Sequence, residues 1–311
     1  MKFVAIGNTM RDSVAQPDGT ITASHMGGPS PFAYAGIRVW CDDVQMLTGV
    51  GLDHDEYFGE WIRENNICTE GIVPVAEKTH NFVLCYNEDG SYNADHGMDR
   101  DAFSFEIGAM EMRPAQFEQY TKDAEACYFF CDCENIVFWN QIGEIKKKYG
   151  WQMMWEMSGS SAYPERLPRI KQIIKDLNIE MFSMNYNECK RLFGCQSREE
   201  AIAQLKTLGA HFVFLRDGAN GSYAIEDDKH WHIPSVRSET SVDPTGCGNT
   251  STGTAMYGYY VTGDPIMACI MANISAGHNA AQYGLIPHFD AEMRADAEKR
   301  AAEMRAAFKE D

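Results

Sequence analysis

The sequence predicts an α/β fold: a mostly parallel sheet with helices on its faces and a small, mostly antiparallel subsheet standing off it. Three observations predict it. Short apolar runs alternate with amphipathic helical runs along almost the whole chain, the pattern of a parallel sheet with crossover helices. Two alternating segments flank Asn87-Glu-Asp-Gly90, a hairpin signal that interrupts that pattern. Near the C-terminal end, a glycine-rich turn leads into a helix of small and apolar residues.

The elements follow in order. Residues 2–6 read as a buried strand and 21–25 as a short alternating one. Residues 31–40 read as an apolar helix, 44–50 as a second buried strand and 55–65 as a helix. Segments 82–86 and 92–96 form the hairpin. Alternation then resumes with strand 127–131, helix 136–149, strand 152–155, helix 165–176, strand 180–183, helices 188–193 and 199–208, and strand 212–216. Segments 222–225 and 230–233 read as a meander, and helices fill the chain from Gly248 onward. The last segment, 291–308, is rich in Ala, Glu, Met and Arg and reads as a solvated amphipathic helix.

Composition sets the class. The 311 residues are 44% hydrophobic and 23% charged, enough to build a sizeable core without disorder. Lys and Arg total 27 against 45 Asp and Glu, a formal net charge of −18. Such a surface repels nucleic acid and anionic lipid, so neither is an expected partner. An anionic small molecule still binds where backbone donors and a few cations concentrate positive potential. There is no basic segment followed by an apolar run at the N-terminus, and no apolar run approaches a membrane span. Ten cysteines without a secretory signal suggest free thiols in a cytoplasmic protein.

The segment Asp243-Pro-Thr-Gly-Cys-Gly-Asn249-Thr-Ser-Thr-Gly253 carries the strongest chemical signal. Gly246 and Gly248 permit close backbone approach to a ligand, and the following helix offers unpaired N–H groups and the positive end of its dipole. Together these suit a phosphate, although glycine spacing alone equally describes an ordinary turn before a helix. Cys127, Cys131 and Cys133 read as core thiols rather than a metal site, since no second ligand pair has the spacing. His230 and His232 flank Trp231 on an exposed strand face.

This segment resembles the ATP-side signature of the ribokinase (PfkB) family of small-molecule kinases, and other motifs extend the resemblance in order over nearly the whole chain. Gly7-Asn-Thr-Met-Arg-Asp12 is similar to the family's first strand and the turn bearing a substrate-binding Asp. Gly27-Gly28 resembles the Gly-Gly at the sugar site, and Gly49-Val-Gly-Leu-Asp53 with Phe58-Gly59 a further family stretch. Asn185-Tyr-Asn-Glu188 resembles the Asn-x-x-Glu motif associated with Mg²⁺ and phosphate, and Gly218-Ala-Asn-Gly221 the Gly-x-x-Gly that follows a strand.

The resemblance implies a ribokinase-like three-layer α/β sandwich with a small β-sheet lid. It implies one such domain over residues 1–311, with lid segments at about 12–28 and 72–100. It also implies a homodimer, because family lids pair across a two-fold axis. By the same resemblance, Gly246, Cys247 and Gly248 form an anion hole for the transferred phosphoryl group, and Asn8, Asp12, Gly27 and Gly28 bind a sugar or nucleoside-like substrate. Glu188 acts on Mg²⁺ through water while Asn185 orders the phosphates of ATP; a plain helix N-terminal carboxylate is the other reading of Glu188. Gly218 and Gly221 line the nucleotide side. Arg216 either pairs with phosphate or closes an ion pair. Asn273 either lies near the base or is a helix-face amide. Asp243 is a candidate ligand for a monovalent cation such as K⁺.

Two positions depart from the family pattern. Asn249 stands where relatives place the Asp that accepts the substrate proton, and an amide is no general base at neutral pH. Three readings follow: a weak kinase, a kinase whose base lies elsewhere, with Asp12 as the substitute, or a nucleotide- or sugar-binding regulatory protein on a kinase fold. Phe32 stands where relatives carry an Asn that contacts sugar hydroxyls. It either packs its helix or meets an apolar part of the substrate.

Overall fold

The computed structural model describes residues 1–15, 19–86, 92–93, 113–236 and 241–310. Among these, the strands are β1 (Phe3–Ile6), β2 (Met10–Ala15), β3 (His25–Gly27), β4 (Val44–Gly51), β5 (Ile72–Ala76), β6 (Asn81–Tyr86), β7 (Tyr92–Asn93), β8 (Ala126–Cys131), β9 (Gln152–Met157), β10 (Met181–Asn185), β11 (Phe212–Arg216), β12 (Ser222–Glu226) and β13 (Lys229–Ile233). The α-helices are α1 (Pro29–Arg38), α2 (His54–Glu64), α3 (Pro114–Thr121), α4 (Ile136–Tyr149), α5 (Leu167–Asp176), α6 (Tyr186–Phe193), α7 (Arg198–Leu205), α8 (Cys247–Thr262), α9 (Pro265–Asn279) and α10 (Ala291–Ala307).

Nine of these strands form one sheet in the order β13-β12-β11-β10-β9-β8-β1-β4-β5. From β11 to β5 every neighbour is parallel, and β12 and β13 add an antiparallel edge. Successive side chains on a strand point to opposite faces, and the apolar residues divide accordingly. Phe3, Tyr128, Met154, Met181 and Phe212 pack in one core with α1, α2, α8, α9 and α10. Val4, Phe129, Trp155, Phe182 and Val213 pack in the other with α3 to α7. Two helical layers on one sheet make the three-layer sandwich the sequence implies.

A separate four-stranded sheet has the order β3-β2-β6-β7. Its hairpin, β6 with β7, is antiparallel as expected, and the turn at 87–90 lies outside the described residues, as does the rest of the second segment, 94–96. Two strands had no counterpart in the sequence reading. β2 occupies a stretch read as a turn and pairs with both β3 and β6. β5 falls in the expected lid range of about 72–100 but pairs instead with β4 at the edge of the large sheet, where its Pro74 is tolerated. The segment 21–25 is a strand only at His25; Ile21 makes an isolated bridge to Ala15. Of the expected lid range, 16–18, 87–91 and 94–100 lie outside the described residues.

Local chemistry sets several helix ends. Asn135 Oδ1 accepts from the Phe138 N–H at 3.0 Å to start α4, and Gly150 in the left-handed region ends it. Asp264 accepts from the Ile266 and Met267 N–H groups at the start of α9, where Pro265 lacks an N–H to satisfy. The contact of α1 with α8 depends on glycine. A Cβ on Gly36 would collide with the Thr250 carbonyl, and one on Gly253 would lie 2.7 Å from the Ala33 carbonyl oxygen. The C-terminal helix α10 is mostly solvated, with Ala297 and Ala301 buried against the core. None of the ten cysteines is in a disulfide. Among the described residues no helix is long and apolar enough to cross a membrane.

Candidate active site

The glycine-rich turn opens α8. Gly246 is its N-cap, in the left-handed region at φ 77°, and no side chain caps the helix. The Cys247 N–H turns back to the Pro244 carbonyl at 3.1 Å. The N–H groups of Gly248 and Asn249 stand where an α-helix offers no partner of its own, and the first turn carries no acidic residue. This is a donor set for an anion at the positive end of a helix dipole. Asn279, on α9, braces the turn: its Nδ2 donates to the Thr245 carbonyl at 2.7 Å, and its Oδ1 accepts from Thr250 Oγ1 at 3.2 Å. The sequence reading missed this residue; it lies six positions after Asn273. Burial pushes the Cys247 thiol up to about 11, so it is a neutral wall of the turn rather than a nucleophile.

Arg216, at the end of β11, stands against this turn: a Cβ on Gly248 would collide with its guanidinium. Its Nη1 lies 2.9 Å from Glu156 Oε1 and its Nη2 3.7 Å from Glu188 Oε2. Arg216 thus closes a buried ion pair with two carboxylates. Glu156 is on β9 and Tyr128 on β8; both are essentially fully buried. The Tyr128 hydroxyl donates to Glu156 Oε2 at 2.8 Å. Asn249 Nδ2 donates to Tyr128 Oη and to Glu156 Oε1, both at 3.1 Å. Burial first, and then the Glu156 carboxylate, hold the Tyr128 hydroxyl well above its ordinary pKa. The sequence reading passed over Tyr128 and Glu156. The available signal was a lone glutamate among Met153, Met154, Trp155 and Met157, a charge inside a buried strand.

Asn185 and Glu188 form a capping box at the start of α6. Asn185 Oδ1 accepts from the Glu188 N–H at 2.9 Å, and Glu188 Oε2 accepts from the Asn185 N–H at 2.7 Å. Glu188 is thus a helix N-terminal carboxylate, and its pKa is raised by burial against the opposing effects of Arg216 and the Asn185 N–H. Its Oε1 takes no part in the cap. Among the described residues no group of three carboxylate, His or Cys side chains could hold a metal ion. Gly218 and Gly221 both have positive φ in the turn after β11, where the Asp217 N–H donates to the Gly221 carbonyl at 2.8 Å.

On the opposite side of the turn, β2 and β3 place Asp12 beside the two glycines. A Cβ on Gly27 would collide with the Asp12 carboxylate. Gly28, at φ 96°, lets the chain pass close to the Asn8 carbonyl, and its N–H donates to Asp12. Asn8 and Asp12 are both buried, and Asp12 Oδ1 has no hydrogen-bond partner. Burial, and next the Asp243 carboxylate, push Asp12 up to about 7. Asp243 itself is buried and accepts from the Thr245 N–H and hydroxyl at 3.0 and 2.7 Å. The substrate-side motif and the phosphate-side motif therefore adjoin.

Phe32 is buried on α1, and its ring fills the space beside Gly246 where a Cβ would stand. It joins the two motifs by packing. Asn273 is buried and fully engaged: Nδ2 donates to the Ile233 and Pro234 carbonyls at 3.2 and 3.0 Å, and Oδ1 accepts from Ser222 Oγ at 3.1 Å. It braces β12 and β13 against α9. Cys127 and Cys133 are buried core thiols.

An uncapped helix N-terminus at the carboxyl end of a parallel sheet, beside an arginine, is the arrangement from which α/β proteins build phosphate sites. The chain belongs to the pfkB family of carbohydrate kinases, whose family model matches residues 2–291. It is 22% identical to a cytidine kinase of Thermococcus kodakarensis over 87% of this chain and 92% of that protein. The fold matches that of adenosine kinase from Sinorhizobium meliloti, with a TM-score of 0.73 and 15% identity over 96% of this chain and 98% of that one. It also matches a putative ribokinase II from E. coli solved with ATP and Mg²⁺, with a TM-score of 0.71 and 17% identity over 97% and 99% of the two chains.

Proposed function

We propose that the protein transfers a phosphoryl group from ATP to a hydroxyl of a sugar or nucleoside-like small molecule. The observation that carries this reading is the uncapped N-terminus of α8, whose Gly248 and Asn249 N–H groups have no helical partner and stand beside Arg216. The Gly248 and Asn249 N–H groups stabilise charge developing on the transferred group, since the Cys247 N–H is taken by the Pro244 carbonyl, and Arg216, paired with Glu156 and Glu188, walls the turn. Asp12 Oδ1 receives an acceptor hydroxyl, with Asn8, Gly27 and Gly28 shaping the wall around it and Phe32 closing its floor. The turn with Gly218 and Gly221 lines the nucleotide side. Mg²⁺, when bound, neutralises phosphate charge; Glu188 and Asn185 would hold it through water, and Asp243 is the candidate for a monovalent cation. The small sheet covers the acceptor as a lid and pairs two copies of the chain in a cytoplasmic homodimer.

A second reading rests on one observation: Asn249 is no base, and its amide nitrogen is committed to Tyr128 and Glu156. On that reading the protein binds nucleotide or sugar in a regulatory role. An ATP-consumption screen across sugars and nucleosides separates the two. Turnover on at least one acceptor is the expected result, and nucleotide binding with no turnover on any acceptor favours the regulatory reading. Gly248→Val should weaken ADP binding by calorimetry about tenfold or more, since its side chain collides with the Arg216 guanidinium and disturbs the turn that presents the N–H groups, a loss worth about one good hydrogen bond to the phosphates. Unchanged affinity would remove the α8 N-terminus from the site.

A further inference from the structure

The amide at Asn249 and the carboxylate at Glu156 form one contact, and the chemistry of that contact fixes which way the amide points. Glu156 has only acceptors to offer, and Tyr128 uses its single hydroxyl proton on Glu156 Oε2. The group of Asn249 that meets both of them must therefore be the donor, Nδ2, at 3.1 Å from each. The amide is planar, so its carbonyl oxygen, Oδ1, points away from the strands. Asn249 is half-buried whereas Glu156 and Tyr128 are sealed in the sheet. Oδ1 therefore faces outward at the N-terminus of α8, where the ligand-facing N–H groups also lie.

We propose that Asn249 and Glu156 are an exchanged acid–amide pair: the carboxylate is carried on β9, and Glu156 acts as the positioning residue that aims Asn249 Oδ1 at a hydroxyl of the bound acceptor. The hydroxyl donates to an amide oxygen and keeps its proton in the bound complex. The pair also explains why an Asp does not simply fit at this position. Asn249→Asp would remove both N–H donors and set a second carboxylate against Glu156 at hydrogen-bond distance. The Arg216 guanidinium on β11 already serves Glu156 and Glu188, and the Tyr128 hydroxyl on β8 offers one proton.

The test is a four-protein cycle: wild type, Asn249→Asp, Glu156→Gln and the double variant. It has a stability arm and a kinetic arm. In the first, two facing carboxylates raise the folded-state pKa of one of them. Such a group is least costly when protonated, and its cost grows as pH rises. Asn249→Asp should therefore lower the unfolding midpoint by about 5 °C at pH 8 and by clearly less at pH 5.5. The double variant, with the amide now on β9 and the carboxylate on α8, should recover at least half of that loss. The double variant also keeps the test open if Asn249→Asp alone fails to fold. Additive losses, or a loss from Asn249→Asp that does not change with pH, would overturn the pairing.

The kinetic arm rests on the phosphotransfer reading and uses an acceptor found in the screen. Glutamine can donate as well as accept, so Glu156→Gln frees the Asn249 amide to turn over. The KM for the acceptor should rise about tenfold, the worth of one hydrogen bond, with kcat changed by less than about threefold. A fall in kcat with KM unchanged would overturn the positioning role. Coupling in the stability arm with no turnover from any of the four proteins keeps the pairing and sinks the kinase reading instead, so the two failures are distinguishable.

Discussion

Asp12 is the residue whose environment departs furthest from solution among the candidate substrate contacts. Its carboxyl is pushed up from an ordinary value of 3.8 to about 7, first by burial and then by Asp243. A carboxyl whose folded-state pKa is raised costs nothing while it is protonated in both states. Its cost begins above the unfolded pKa and is complete above the folded one. For Asp12 the window runs from about pH 4 to about pH 7. Asp12→Asn removes the charge and keeps the shape, so the variant should be more stable than wild type at pH 8, by up to about 4 kcal/mol, with the difference vanishing near pH 4. Urea unfolding at the two pH values measures it. A variant less stable than wild type at both would mean that the carboxylate is held by a cation and not merely tolerated for binding. The cost is what a site built to receive a hydroxyl at Oδ1 is expected to carry before the ligand arrives.

At the scale of elements, the site depends on how closely α1 approaches α8. Gly36 meets the Thr250 carbonyl and Gly253 meets Ala33, so the two helices touch backbone to backbone. The same approach seats Phe32 beside Gly246. Gly36→Ala should therefore act twice. Overpacking the contact should cost about 1–3 kcal/mol of stability. Displacing α1 should also lift Phe32 from the turn and weaken nucleotide binding measured by calorimetry. A stability loss with unchanged nucleotide affinity would show that the turn is held by Asn279 and the α9 side alone. Asn279 and Asn185 show the same economy: each uses one amide or carbonyl to tie a turn to a helix end.

At the scale of the whole molecule, the formal net charge of −18 opposes the approach of an anionic nucleotide, while the uncapped α8 N-terminus offers the positive end of a helix dipole locally. The long-range repulsion is screened within about 10 Å at 0.1 M salt, whereas backbone hydrogen bonds to phosphate are not. Raising the ionic strength from about 0.01 to 0.15 M should accelerate ATP association a few-fold, the reverse of the usual steering effect. Stopped-flow binding with a fluorescent ATP analogue reads it directly. Association that slows with salt would mean that the local field of the site outweighs the net charge even at long range.

The period of the hydrophobic pattern was enough to predict the alternating strands and helices from β8 to β13, because a buried parallel strand and a crossover helix differ in period and length. β11 was legible to the residue, as Phe212–Arg216. The glycine turn of α8 was legible because two closely spaced glycines precede a run of small and apolar residues, and Gly246 does take the left-handed conformation that glycine permits. β2 was not legible: Met10–Ala15 has no period-two pattern of its own and becomes a strand by pairing with β3 and β6. The identity of residue 249 was plain in the sequence, but its meaning was not. Only the fold brings Tyr128, Glu156 and Arg216, from three different strands, against the first turn of α8. Local sequence sets the backbone's preferences and which residues are apolar. Contacts between side chains more than ninety positions apart, as Asn249 is from Glu156, exist only after the sheet has aligned its strands and the helix has packed on its face.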